Sequence, residues 1–136
     1  LGERVQNHPQ LCCALEEYSA ITVPVPLHYR KYRYRGFNQA FKIARGFEQV
    51  WNNIPICKID DVIRTKNTRT QTGFSLEKRL ANIDGAFKVN NESVICDKTI
   101  VIIDDVFTTG ATTFELAQTL KQAGATMIII LTVAKA

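Results

Sequence analysis

The sequence predicts an α/β protein with a mainly parallel sheet. Three observations carry that reading. "TIVII" (Thr99–Ile103) is a continuous β-branched run, as expected of a strand covered on both faces. "TMIIILTV" (126–133) is a second such run and reads as another buried strand. Between them, "TTFELAQTLKQAGA" is helical, with Phe114, Leu116, Ala117 and Leu120 toward the core and Gly124 as its stop. Strand, helix and strand at this spacing make a parallel crossover.

The remaining elements follow in chain order. Residues 11–18 read as a helix. "AITVPVPL" (Ala20–Leu27) reads as a strand closed by Pro24 and Pro26. Tyr29–Gly36 reads as a basic, tyrosine-studded loop. Asn38 is an N-cap for a helix whose apolar stripe is Ala40, Ala44, Phe47 and Trp51, with Ile43 and Val50 beside it. "NNIP" stops that helix. Asp61–Arg64 is a short strand, and the polar segment "TKNTRTQTG" (65–73), which has no apolar anchor, is expected to be mobile. A short helix is expected from Ser75 to Ala81, a turn at Asp84–Gly85, and a strand at "AFKV" (86–89).

The totals exclude several classes. The 136 residues suffice for one α/β domain, here residues 1–136, and 46% hydrophobic content argues against disorder. No apolar run approaches the ~18 residues of a membrane span, and the start lacks the apolar core of a signal peptide. The chain opens on Leu1 rather than Met, as a piece of a longer protein would. The net charge of +4 is too mild to indicate nucleic acid by itself. Cys12, Cys13, Cys57 and Cys96 form no C-x-x-C pair, and with only His8 and His28 as imidazoles a zinc site is not expected. Free thiols fit a reducing cytoplasm.

The chemistry concentrates in "VIIDDVFTTGATT" (Val101–Thr113). Its second half lies where a helix begins, so backbone N–H groups and the positive end of the helix dipole are available to an anion. Gly110 allows close backbone approach, and Thr108, Thr109 and Thr112 add hydroxyl donors beside Ala111. That is a site for one phosphate. No Lys follows in P-loop spacing and G-x-G-x-x-G is missing, which disfavours triphosphates and dinucleotides. Asp104 and Asp105 would repel that phosphate, but they suit neutral hydroxyls or a hard cation such as Mg²⁺. Acids for a diol and a turn for a phosphate describe a 5-phosphorylated ribose. A phosphorelay receiver domain also begins on a strand ending in paired acids, but there the phospho-accepting Asp lies well downstream, and here the only later acid is Glu115.

This segment resembles the thirteen-residue motif of type I phosphoribosyltransferases, which bind phosphoribosyl pyrophosphate (PRPP). "VPVPLHYRKYRYRGFNQA" (23–40) and "RTKNTRTQTGFSLEKRLANIDGAFKV" (64–89) are similar to the ComF family in particular. The resemblance implies the type I phosphoribosyltransferase fold, with helices on both faces of the sheet. It implies that Asp104 and Asp105 bind the ribose hydroxyls and that Thr108, Thr109, Gly110, Ala111 and Thr112 bind the 5-phosphate. The loop after the first strand, with Leu27, His28, Tyr29, Arg30 and Arg35, would approach pyrophosphate. The segment 65–73 would be the catalytic loop, with Arg64, Lys66 and Arg69 acting beside the acids. Mg²⁺ would accompany PRPP, with Asp104 and Asp105 as the protein ligands available. The expected partners are PRPP, single-stranded DNA and competence proteins, without membrane insertion; a homodimer is compatible.

Charge placement supports the implied roles independently. Arg30, Lys31, Arg33 and Arg35 follow one strand, while Arg64, Lys66, Arg69, Lys78 and Arg79 surround the polar segment. Tyr29, Tyr32 and Tyr34 interleave with the first group, as packing residues or as a platform for single-stranded bases. The departures from the family are a missing N-terminal four-cysteine zinc region and leading strand. Base specificity in this class often comes from a separate hood, whose absence leaves the acceptor undetermined. The alternatives are a nucleobase salvage phosphoribosyltransferase or a non-catalytic PRPP-sensing DNA-binding protein.

Overall fold

The computed structural model describes residues 1–67, 77, 81 and 83–136. Arg69, Lys78 and Arg79 lie outside these, as does most of the helix expected from Ser75 to Ala81. The elements run α1 (Gly2–Gln6), α2 (Pro9–Glu17), β1 (Ala20–Pro24), α3 (Tyr29–Arg35), α4 (Gln39–Val50), β2 (Val62–Arg64), β3 (Phe87–Val89), a 3₁₀ turn (Glu92–Val94), β4 (Thr99–Phe107), α5 (Ala111–Gln122) and β5 (Met127–Lys135).

The main sheet is parallel, in the order β1-β4-β5. The first five residues of β4 are all buried. Because successive side chains of a strand point to opposite faces, β4 supplies both layers of core. Ile100 and Ile102 pack with Leu116 and Leu120 of α5 and with Val62 and Phe87. Val101 and Ile103 pack with Ala44, Phe47 and Trp51 on the other face, together with Leu15 and Val5. The stripe expected on α4 is therefore the stripe that is buried, and α-helices cover both faces of the sheet. A smaller antiparallel pair, β2 and β3, lies beside α5, with Arg64 opposite Phe87.

Several expectations are corrected. Tyr29–Arg35 is a helix, not a loop. It has no buried residue and hence no apolar stripe to announce it. It is held by its ends: the His28 side chain accepts from the Arg30 amide, and Gly36, at φ 76°, ends it with its N–H on the Tyr32 carbonyl. Its tyrosines do not pack inside: Tyr34 is 92% exposed, and Tyr29 and Tyr32 are exposed as well. Phe114 points outward, leaving Leu116, Leu120 and half-buried Ala117 to face the core. β5 is an edge strand rather than a buried one, with Met127, Ile130 and Val133 exposed and Leu131 buried. The N-terminal helix α1 had no sequence signal; Gly2 lets it lie against Val50, since a Cβ there would come within 2.8 Å of the Val50 side chain.

Candidate functional site

β4 does not stop at Ile103. Its ladder with β5 continues through Asp104 opposite Thr132 to Phe107 opposite Lys135. Asp104 and Asp105 are thus strand residues at the carboxyl end of a parallel sheet, where open α/β folds place their ligands. β1 reaches the same height. The Val25 amide donates to the Ile103 carbonyl at 2.9 Å, so the segment carrying Leu27 and His28 leaves the sheet next to the acids.

Each carboxylate is oriented by the following backbone. Asp104 Oδ1 accepts from the Asp105 amide and Asp105 Oδ1 from the Val106 amide, both at 2.9 Å. Asp104 is largely withdrawn from water. Burial is the main reason that its pKa rises to about 7, and the neighbouring Asp105 charge adds to it; the Asp105 N–H and the Arg64 cation act in the opposite sense. Arg64, at the end of β2, lies over the Phe87 ring, 5.3 Å from its centroid. Burial lowers its pKa while Asp104 raises it, so these two groups sense each other across the sheet end.

The threonine-rich turn 108–112 leads from β4 into α5. Gly110, at φ 76°, is the N-cap of α5, and a Cβ there would stand 2.6 Å from the Phe107 ring. Thr108 and Thr109 are exposed, Thr112 is half-buried and Ala111 is buried at the first helical position. Thr109 Oγ1 accepts from the Ala111 amide at 3.4 Å, and Thr113 Oγ1 donates to the Gly110 carbonyl at 3.0 Å. First-turn amides of a twelve-residue helix lack intrahelical acceptors, so they can face an anion.

The basic residues divide. His28 is buried, and its pKa is lowered by that burial and by Arg30, Arg64 and Lys31, which holds it neutral as a cap. Tyr29 and Arg30 form the first turn of α3, with Arg30 Nε donating to the Tyr29 hydroxyl at 3.1 Å; Arg35 is exposed at the far end. Lys66 donates to the Asp84 carbonyl across the β2–β3 hairpin, so its ammonium is engaged within the hairpin rather than at the acids. Arg69 falls outside the described residues. Sequence reasoning missed Glu115, whose carboxylate accepts from the Gly85 amide at 2.8 Å and ties the hairpin to α5. It also missed Phe107 and Phe87, the aromatic supports of Gly110 and Arg64. No residue pattern announced Glu115, because its partner is the Gly85 backbone amide.

Among the described residues no three His, Cys, Asp or Glu side chains converge as a metal centre. No helix among them is long and apolar enough to cross a membrane.

Residues 33–136 match the family described as phosphoribosyl transferase domain. Competence protein F of Haemophilus influenzae is 33% identical over 84% of this chain and 49% of its own length. The DNA utilization protein YhgH of Escherichia coli K12 is 37% identical over 78% of the chain and 45% of its own. The chain thus spans about half the length of the curated relatives it matches. Among solved structures, a purine phosphoribosyltransferase from Pyrococcus horikoshii superposes with a TM-score of 0.54 at 16% identity, covering 98% of this chain and 71% of that one. A glutamine PRPP amidotransferase from Bacillus subtilis gives 0.53 at 19%, over 85% and 22%. These likenesses show the type I phosphoribosyltransferase fold.

Proposed function

The chain belongs to the phosphoribosyltransferase domain family, as a ComF-like member, and from that premise we propose that it binds PRPP with Mg²⁺ and serves the uptake of single-stranded DNA in natural competence. The observation that supports this best is the placement of Asp104. A half-buried carboxyl at a sheet end, four positions before a threonine turn and beside the β1 exit, suits a phosphorylated sugar.

In this reading Asp104 and Asp105 accept hydrogen bonds from the ribose hydroxyls. The amides and hydroxyls of Thr108–Thr112 take the 5-phosphate. The segment Leu27–Arg30, with Arg35, meets the pyrophosphate arm. Arg64 offsets charge between acids and pyrophosphate, and Lys66 and Arg69 are the cations assigned to the catalytic loop. Displacement of pyrophosphate at C1 passes through an oxocarbenium-like state. The chain contributes by holding the sugar, excluding water and offsetting leaving-group charge. The two carboxylates are hard oxygen donors and fit Mg²⁺, but with no third acidic ligand converging on them among the described residues the ion would be held chiefly by the donor's own oxygens. When bound it would neutralise departing pyrophosphate. Free thiols agree with a cytoplasmic setting.

Titration of PRPP and Mg²⁺ into the wild type and an Asp104→Asn/Asp105→Asn variant tests the site: equal affinity rejects the ribose assignment. For the DNA role, the exposed basic face of α3 supports strand binding. Arg33→Glu/Arg35→Glu should weaken single-strand affinity and flatten its salt dependence, and an unchanged slope removes α3 from that role.

A further inference from the structure

A cavity of about 660 Å³ opens beside the site, between α3, the start of α4 and the approach to β2. Four of the chain's exposed large apolar side chains line it: Tyr29, Tyr32, Phe37 and Ile59, which are 58%, 44%, 39% and 65% exposed. Phe41 adds a fifth apolar wall. Large apolar side chains gathered on one concave, polar-rimmed surface mark a ligand groove rather than chance exposure.

The charges around this groove give its ligand a sign. Lys42, Lys58 and Arg64 line it against a single acid, Asp60. Lys42 stands over the Phe37 ring, with Nζ 4.1 Å from the centroid. Outside it, α3 adds Arg30, Lys31, Arg33 and Arg35 without one acidic residue. Aromatic walls select a planar ring, and the surplus of cations selects an attached anion. The volume of about 660 Å³ lies within the range of small-molecule sites.

We propose that this cavity binds a nucleobase ring carrying phosphate, stacked on Tyr32 and Phe37 with its phosphate toward Lys42. The ring belongs either to a free nucleotide or to a single strand whose backbone runs along α3.

The ring held here is not the acceptor of the transfer reaction. Leu27, His28 and Tyr29 line the cavity, and they belong to the segment read above as meeting pyrophosphate. A nucleophile that displaces pyrophosphate must approach C1 from the opposite side, so the ligand in the cavity is a second one, competing with the pyrophosphate arm. This clause rests on the PRPP reading; the cavity itself does not.

Calorimetric titration with thymidine monophosphate, and separately with a single-stranded oligothymidylate, tests the inference. Tyr32→Ala and Phe37→Ala should each weaken binding about tenfold, the order expected for one lost base–aromatic stack. Tyr34→Ala, 92% exposed and outside the cavity, should leave the monophosphate affinity unchanged. Binding of the monophosphate assigns a free nucleotide. Binding of the oligonucleotide alone, weakened by the same two variants, assigns a strand. No binding of either ligand, or binding indifferent to Tyr32 and Phe37, overturns the proposal. The Asp104→Asn/Asp105→Asn variant separates the two readings: it should lose PRPP but keep the cavity ligand. PRPP binding that survives in that variant sinks the donor-site reading and leaves the cavity standing.

Discussion

Asn38 Nδ2 donates to the Val25 carbonyl at 3.0 Å, while Asn38 Oδ1 accepts from the Ala40 amide at 3.0 Å. One side chain therefore starts α4 and fastens it to the end of β1, the point from which the segment beside the acids departs. Asn38→Ala removes both bonds. The expected loss is about 1–2 kcal/mol of unfolding free energy, the range of a lost N-cap, read by denaturant titration. Asn38→Asp should recover most of the capping part and none of the bond to Val25. A loss below the precision of the titration would show that the cap is redundant.

Gly110 carries two constraints at once. Its φ of 76° disfavours any L side chain, and the Phe107 ring fills the place of a Cβ. Gly110→Ala should lower stability by about 1–2 kcal/mol from backbone conformation alone. It should also weaken binding of a 5-phosphorylated ribose, because the turn opens. Adding Phe107→Ala relieves the contact but not the backbone. A double variant as stable as wild type would mean that sterics, not φ, set the requirement.

Asp104 makes stability depend on pH in an unusual direction. Its pKa in the folded chain is about 7, against an ordinary value of 3.8. Between these values the folded state binds more protons than the unfolded chain, so stability falls as pH rises through that window. Asp104→Asn should remove this slope and gain on the order of 1–2 kcal/mol at pH 8, discounted because the carboxyl still reaches solvent. The gain should shrink toward pH 4. Thermal unfolding of both proteins across pH 4–8 decides it; parallel curves would place the ionised carboxylate in a more polar setting than the one described.

The thiols differ by environment. Cys57 is buried, and burial with the nearby Asp61 charge pushes its pKa up to about 12. Cys13 is exposed. Alkylation of the native protein at pH 8, followed by peptide mass spectrometry, should mark Cys13 first and Cys57 only after unfolding. Cys57 lines the cavity beside α3, so its early labelling would mean that this wall opens readily.

What was legible in the sequence is what burial writes there. The Ala40–Trp51 stripe, the Thr99–Ile103 run and the αL stop at Gly124 announce themselves because packing or φ restricts residue type. The Ala125 amide on the Leu120 carbonyl and the Gly124 amide on Lys121 complete the stop that one glycine foretold. The acid pair at a strand end and the glycine turn before a helix were legible as positions, because Asp104 and Asp105 follow the apolar run and Gly110 precedes the helix. The helix α3 was not, because nothing in it is buried and its stabilising contacts sit at His28 and Gly36. The edge position of β5 was hidden too: an apolar run reports that a strand packs, not how many neighbours it has. Glu115 escaped because its partner is a backbone amide, which has no letter in the sequence.

The strand β4 is sealed in hydrocarbon for half its length and bears the acids on the other half. A carboxylate on a free loop can drift without disturbing the interior, and the interior can be repacked without disturbing it. Here the two share one rigid rod. A methylene added at Ile102 would be felt as a displacement of Asp104, so tolerance to interior change in this chain is bounded by the tolerance of its chemistry.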